Sequence, residues 1–147
     1  MRQFYGSLAP VVRAYAWVRA LGAEGLKTVG ETSILNNHYM INRILSDVPG
    51  VSLPWGREEF GRMEQARYSF GQLYDATGVA SEEIEKRMQD FGFGRFFHSH
   101  ESDLIAQPFT PEPNETYSKD DIDEFSQALK LVVEETYSNP EIVLTAP

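Results

Sequence analysis

Three residues with chemically useful side chains follow a pair of glycines in the second half of the chain. Arg95 comes directly after Gly92 and Gly94, and His98 and His100 alternate just beyond it. A planar guanidinium can hold a carboxylate through two parallel hydrogen bonds, so Arg95 is a candidate for binding a substrate. The alternative is a salt bridge on the surface or between domains, because that is the commoner role of an arginine.

The two histidines would share one face if they lay on a strand, because side chains two residues apart point to the same side. Glu101 and Asp103 follow closely, so a metal site is one hypothesis for this segment. Two imidazoles without a third spaced ligand are poor evidence for zinc. We therefore assign no metal ligand and keep His98 and His100 as candidates for facing a substrate.

A second group of polar residues lies in a turn that three prolines stiffen: Pro108, Pro111 and Pro113. Each proline lacks a backbone N–H and restricts the residue before it, so the segment favours neither a helix nor a sheet ladder. Glu112, Glu115 and Thr116 could offer carboxylates and a hydroxyl to a substrate or to another domain. The alternative is structural, with these side chains tying the turn to the next helix.

That next helix has a clear beginning. Ser118 can accept a hydrogen bond from an otherwise unpaired backbone N–H, and Asp120 and Asp121 lie where the helix dipole favours negative charge. Apolar residues then recur at helical spacing at Ile122, Phe125, Leu129, Val132 and Val133. A short apolar run at 103–107 precedes the prolines. The pattern predicts a strand, a polar turn and a capped amphipathic helix.

The N-terminal third predicts two helices. Val11, Tyr15 and Val18 lie on one face of the first, over 4–21, and Gly22 is placed to end it. The second is expected over 23–46, and a tight glycine turn between two helices favours a hairpin. We therefore assign residues 1–47 to a helical hairpin.

The remaining residues, 48–147, predict short strands and a further helix. Strands are expected at 51–53, 67–74, 95–99 and 103–107, and a helix that Ser81 caps at 81–91, with Ile84, Met88 and Phe91 inside. This order indicates an α+β fold in a single domain: a small, mostly antiparallel sheet with helices on one face. Little chain is left to cover the second face, so we expect a missing partner.

Composition limits the possible partners. The net charge of −9 and the scattered basic residues argue against nucleic acid and anionic membranes. The chain has no cysteine, which excludes disulfides and thiolate chemistry and fits a reducing compartment. No apolar run is long enough for a transmembrane helix, and no signal peptide is evident at the N-terminus. We expect a cytoplasmic protein.

Three motifs resemble one enzyme family. The stretch FYGSLAPVVRAYAWVRALGAEGLKTVGETSILNNHYM (4–40) is similar to the FYGN..VL.RAY.YIR.LG.EGL..V.E.A.LNANYL segment of glycine dehydrogenases (decarboxylating), the P-proteins of the glycine cleavage system. TGVASEEIEKRMQDFGF (77–93) and EPNETYSK (112–119) resemble that family's TG....D.AKRL.DYGFHPPT and EPTETESK. The order is the same and the motifs span nearly the whole chain. The resemblance is to the C-terminal part of subunit 2 of two-subunit P-proteins.

This resemblance implies the small C-terminal domain of a fold-type-I, pyridoxal-phosphate-dependent oxidoreductase of glycine catabolism. It implies partners as well: a large cofactor-binding domain or subunit 1, and a lipoylated H-protein whose lipoyl arm accepts the aminomethyl group. The family's cofactor lysine lies in a His-Lys-Thr segment that is absent here. A Schiff-base lysine must be desolvated and unprotonated. We therefore expect this chain alone to bind no pyridoxal phosphate and to be inactive by itself.

The chain also departs from the family pattern. Gly94, Arg95 and Phe96 replace a histidine and two prolines, while Asn114 and Tyr117 replace a threonine and a glutamate. These changes fall in the turns expected to face the substrate, so Asn114 joins the candidates. The alternative is a free-standing interaction or regulatory module that keeps the fold without the chemistry. Either reading predicts an exposed apolar face on the first helices, through which a homodimer could also form.

Overall fold

The computed structural model describes residues 6–54, 62–63, 65–95, 98 and 104–146. The elements in these ranges are α1 (Leu8–Asp47), β1 (Tyr68–Ser69), α2 (Gly71–Thr77), α3 (Ser81–Asp90), β2 (Pro108–Phe109), α4 (Lys119–Ser138) and α5 (Pro140–Leu144). Helices dominate the described residues and a two-stranded antiparallel sheet lies among them. The predicted α+β class with a small antiparallel sheet is confirmed.

Helix α1 consists of two segments that meet at Gly22, as the sequence predicts. Gly22 has φ 62° and ψ −172°, a conformation that glycine adopts without steric cost and that interrupts the helix. We call residues 8–21 the arm. All residues of 8–20 are exposed, so the close packing expected between the segments of a hairpin is not seen. The second segment is different, because Met40, Ile41 and Ile44 are buried in the core.

The sheet is shorter than predicted. β1 pairs with β2 so that Tyr68 lies opposite Phe109, and an isolated bridge joins Ser52 to Ser69. The strand expected over 67–74 is wrong beyond Ser69, because α2 begins at Gly71. The Ser69 hydroxyl accepts the Gly71 N–H at 3.0 Å, which satisfies a donor at the start of the helix. The strand expected over 51–53 is reduced to the one bridge.

The strand expected at 103–107 is wrong in position. Residues 104–107 form turns and bends, Leu104 is exposed, and β2 follows at Pro108–Phe109. A proline is tolerated at the first residue of a strand, where its missing N–H breaks no ladder bond. Phe109 stacks on Tyr68 and Phe70, with ring centroids 4.9 and 4.1 Å apart. Aromatic packing therefore determines where this strand forms.

The inferred uncovered face of the sheet is also wrong. All four residues of β1 and β2 are buried, so the chain covers both faces of this short ribbon. The exposed apolar surface lies on the arm, where one was expected. The strand expected over 95–99 lies largely outside the described residues; Arg95 and His98 are described and are not in a strand.

Helix α4 carries the centre of the core and begins where the sequence predicts. Ser118 accepts the Asp121 N–H at 3.1 Å, and the apolar face buries Ile122, Leu129, Val132 and Val133. Helix α3 packs beside it.

The contact between α3 and α4 includes a two-pronged ion pair, since Arg87 donates to both oxygens of Glu135 at 2.8 and 3.0 Å. Two details of the α3 expectation are wrong, because Ala80 is the N-cap residue and Phe91 is exposed.

Candidate functional site

A cleft of about 420 Å³ lies between the end of α3, the proline-rich turn and the first turns of α4. Its walls are polar at the edges and apolar at the base. The lining residues are Met40, Phe93, Gly94, Arg95, Thr110, Pro111, Glu112, Pro113, Tyr117, Asp121, Ile122, Glu124 and Phe125. A concave site with an apolar base and a few convergent polar groups is the usual form of a small-molecule site.

The first edge, which we call the arginine rim, consists of Phe93, Gly94 and Arg95. It forms because α3 ends abruptly: Gly92 has φ 86°, and the Phe93 N–H donates to the Met88 carbonyl at 3.2 Å. A left-handed glycine at this position is a common helix ending. The Phe93 ring then meets Phe125 edge-on, with centroids 5.4 Å apart, which places Arg95 at the mouth of the cleft.

A buried carboxylate holds the arginine rim in place. The Glu85 side chain is only 3% exposed, yet Arg95 Nε lies 2.9 Å from its Oε1 and His98 Nε2 lies 3.0 Å from its Oε2. A buried carboxylate is costly unless it is paired, so these contacts constrain both partners. The Arg95 side chain remains 66% exposed and faces the cleft. It is therefore oriented from below and accessible from above.

The second edge, which we call the proline rim, covers residues 110–117. Asn36 of α1 donates to the carbonyls of Asn114 and Tyr117 at 2.8 and 2.9 Å. The Asn114 side chain accepts the Thr116 N–H at 2.9 Å and so closes the turn internally. The Ser33 hydroxyl donates to Glu115 at 3.3 Å. These contacts hold the rim against the second segment of α1.

One hydrogen bond connects the two rims. The buried Thr110 hydroxyl donates to the backbone carbonyl of His98 at 2.7 Å. His98 also contacts Glu85, so this bond joins the proline rim to the residues that hold Arg95.

The remaining wall carries negative charge. Asp121 and Glu124 of α4 and Glu112 of the proline rim line the cleft opposite a single cation, Arg95. Hydrogen bonds from the Ser118 hydroxyl and backbone lower the pKa of Asp121, so this carboxyl stays ionised at neutral pH. The arrangement can bind and orient a small ligand that carries a negative group at one end and a positive group at the other.

Comparison with known proteins identifies the family. No family model matches the chain. Probable glycine dehydrogenase (decarboxylating) subunit 2 of Pyrococcus furiosus is 36% identical over 150 residues, which cover all of this chain and 28% of the relative. The corresponding proteins of Thermococcus kodakarensis and Chlorobium chlorochromatii are each 35% identical over all of this chain, and the match covers 28% and 29% of them. This chain belongs to the glycine dehydrogenase (decarboxylating) subunit 2 family.

The resemblance inferred from the motifs is thereby confirmed, and the chain spans about 28% of the length of these curated relatives. A solved structure agrees on the fold. The crystal structure of glycine decarboxylase (P-protein) of the glycine cleavage system, in inhibitor-bound form, superposes with a TM-score of 0.63. The superposition covers 80% of this chain and 24% of that one at 21% sequence identity.

The site residues predicted for a member of this family occupy three different places. Arg95 and Glu112 line the cleft, and His98 lies behind Arg95 on the shared carboxylate. Asn114, Glu115 and Thr116 belong to the proline rim but are not among the residues that line the cleft. His100 lies outside the described residues. Whether any of these residues contacts a substrate stays a prediction.

Sequence reasoning missed Glu85, which lies among Glu82, Glu83 and Lys86 and was read as part of a solvated, charged face. The helical period contains the signal that could have found it. Ser81, Glu85 and Met88 follow one another at i, i+4 and i+7, and all three are buried. A carboxylate on the inner stripe of a helix requires a partner, and Arg95 is the nearest free-standing cation in the sequence.

The lysines of this chain do not fit the attachment of pyridoxal phosphate, the cofactor that the resemblance implies for the family. Each of the four pairs with a carboxylate one helical turn away: Lys27 with Glu31, Lys86 with Glu82, Lys119 with Asp123 and Lys130 with Glu134. The Asp123 hydrogen bond raises the pKa of Lys119, whereas a Schiff-base amine must be unprotonated. None of the four lines the cleft.

Two further expectations concern metals and membranes. Among the described residues, no three histidine, aspartate or glutamate side chains come together as a metal site would require. None of the helices in the described part of the chain combines the length and hydropathy that crossing a bilayer requires.

Proposed function

We propose that this chain is the small C-terminal domain of a glycine decarboxylase of the P-protein type. In this proposal its cleft faces a catalytic centre where a large domain, outside this sequence, holds pyridoxal phosphate. The cleft would help to bind glycine and the lipoyl arm of an H-protein. The match of the whole chain to 28% of a glycine dehydrogenase subunit supports the assignment as one part of a larger enzyme.

The observation that carries this proposal is the charge arrangement of the cleft. Free glycine is a zwitterion whose carboxylate suits the guanidinium of Arg95 and whose ammonium suits the carboxylates opposite. The base of the cleft, which Met40, Ile122 and Phe125 line, is apolar and suits the hydrocarbon chain of a lipoyl group. Arg95 would bind and orient, and closure of the cleft against another domain would exclude water.

The proposal assigns the cofactor and the remaining partners to other parts of the enzyme. The lysine geometry supports a cofactor lysine in the large domain, with none of the covalent attachment made here. The name subunit 2 borne by the relatives supports a partner subunit 1. We place the enzyme in the cytoplasm and in glycine catabolism, as an oxidoreductase, on the strength of the family alone.

A chimera tests the proposal directly. This chain would replace the matching segment of the Pyrococcus furiosus relative, and glycine–bicarbonate exchange would be measured with subunit 1, lipoylated H-protein and pyridoxal phosphate. We expect exchange to be retained. A chimera that folds and binds the cofactor but exchanges no bicarbonate would contradict the proposal and favour the free-standing interaction module.

The arginine rim is tested in the same chimera. Arg95→Gln should lower kcat/KM for glycine by about 10- to 100-fold, since a charge-assisted hydrogen bond is worth ~1.5–3 kcal/mol. Lys27→Gln is the matched control, because Lys27 is exposed and far from the cleft lining. Equal kinetics for the two variants would remove Arg95 from glycine binding.

A further inference from the structure

The arm presents apolar side chains to solvent along its whole length. Its large exposed apolar residues, with their exposed fractions, are Leu8 76%, Val11 62%, Val12 55%, Tyr15 66%, Trp17 49% and Val18 43%. The only charged residues of the arm are Arg13 and Arg19. Soluble proteins seldom leave a contiguous apolar surface of this kind uncovered, so the arm is built to contact something else.

The arm is apolar on more than one side. Val11, Tyr15 and Val18 form one stripe, at i, i+4 and i+7. Trp17 lies two residues after Tyr15, which places it about 200° around the helix and hence on nearly the opposite side. A helix with one apolar stripe lies on a surface, whereas a helix that is apolar on opposite sides is enclosed. The arm therefore fits a groove and not a flat face.

The arm also gains little from the rest of the described chain. Its residues from 8 to 20 are all exposed, and Gly22 interrupts the helical conformation that joins the arm to the second segment of α1. A helix of this length is marginal in water, because nucleation is costly and most helical stability in proteins comes from packing. A binding partner would supply that packing.

We propose that the arm inserts into an apolar groove in the larger part of the same subunit, whose walls are hydrophobic and whose edges carry carboxylates for Arg13 and Arg19. This rests on the proposed function. The relatives contain the matching segment within one longer chain, of which it is 28%, so the larger part is always present at high effective concentration. A second copy is the poorer occupant, because two chains of net charge −9 repel each other.

Hydrogen exchange measured by mass spectrometry tests the insertion. Peptides from residues 8–21 would be compared between this chain alone and the chimera described above. We expect the exchange of these amides to slow at least about tenfold in the chimera, while peptides from α4 stay unchanged. Unchanged exchange of the arm in a chimera whose other peptides show a native fold would overturn the proposal.

A pair of variants adds a second readout. The double substitution Val11→Asp and Tyr15→Asp should abolish the protection of the arm in the chimera, because it places two charges in the apolar groove. Leu131→Asp is the control, since Leu131 is 40% exposed on α4 and outside the arm. Equal protection of the arm in the two variants would contradict insertion.

The remaining outcomes separate the arm from its rivals. If arm protection in the isolated chain rises with protein concentration and a dimer is seen by sedimentation, a second copy is the occupant and the proposal is wrong. Arm protection with no bicarbonate exchange would retain the insertion and reject the enzymatic function. Exchange with an unprotected arm would do the reverse.

Discussion

The two rims of the cleft are held in opposite ways. The arginine rim depends on a single buried carboxylate, Glu85, which contacts both Arg95 and His98. The proline rim depends on several neutral hydrogen bonds near the surface, two of them from Asn36, and on prolines that restrict its backbone before it folds. The comparison teaches that a rim with a charged group to orient is anchored from the interior, whereas a rim that mainly shapes the cleft can be anchored from the surface.

This difference predicts different sensitivity to substitution. Loss of one partner from a buried ionic contact leaves an uncompensated charge in the interior, which is expensive. Loss of one exposed hydrogen bond is largely replaced by water. The arginine rim should therefore respond strongly to single changes and the proline rim only weakly.

The largest effect is expected for Arg95→Leu. The buried Glu85 carboxylate would lose one of its two partners, which should lower the free energy of unfolding by ~2–3 kcal/mol in urea denaturation. Lys27→Leu, which breaks an exposed pair, should cost ~0.5 kcal/mol or less. In a Glu85→Gln background Arg95→Leu should cost little, since the buried charge is gone. Similar losses for Arg95→Leu and Lys27→Leu would show that the arginine rim is not anchored from the interior.

The next effect concerns the bond that joins the rims. Thr110→Val keeps the branched shape but removes the hydroxyl that donates to His98, and should cost ~0.5–1.5 kcal/mol. Thr136→Val is the matched control, because Thr136 is equally buried but its hydroxyl bonds only to the carbonyl one turn earlier in α4. Calorimetric melting of both variants makes the comparison. A larger loss for Thr136→Val would indicate that the rims are independent of each other.

The helix that forms the wall of the cleft could be predicted closely from sequence, whereas the strands could not. The start of α4 is local, because Ser118, Asp121 and the apolar period all lie within one segment. The strand at Pro108 depends on distant packing: Phe109 lies between Tyr68 and Phe70, some forty residues earlier in the chain. The apolar and aromatic composition at 67–74 suggested a strand, but a hydrogen bond from the Gly71 N–H to Ser69 begins a helix there.

The candidate site divides in the same way. Arg95 and Glu112 were found from residue type and from the turns around them, and both line the cleft. Glu85 was missed because charged residues on a helix are normally solvated, and only the pairing with Arg95 makes its burial possible. Local sequence therefore identifies the residues that face the cleft, whereas the residue that positions them depends on contacts made through the fold.

A smaller effect is expected where the proline rim joins α4. Ser118→Ala removes the hydroxyl cap and should cost ~1 kcal/mol, whereas Ser138→Ala at the other end of α4 should be nearly neutral. The same contact has a pH dependence. Because Ser118 lowers the pKa of Asp121 in the folded state, its contribution is present above the ordinary carboxyl pKa and is lost as the pH falls through the lowered value.

Urea denaturation between neutral and acidic pH checks both parts of this prediction. The acid-dependent loss of stability should be smaller in Ser118→Ala than in the unaltered chain, since the carboxyl then titrates more nearly alike in the folded and unfolded states. An identical acid dependence in the two proteins would show that this cap does not set the charge of the wall.

The smallest effect is expected for Asn36→Ala, although this substitution removes two hydrogen bonds to the proline rim. Both bonds lie at the surface, so water can replace them, and the free energy of unfolding should fall by only ~0.5–1 kcal/mol. The local consequence should be greater than the global one, because the amides of residues 114–117 would exchange about tenfold faster. Gln127→Ala, an exposed change on α4, is the control. A loss as large as that of Arg95→Leu would mean that the surface anchor carries as much as the buried one, and the contrast between the rims would no longer hold.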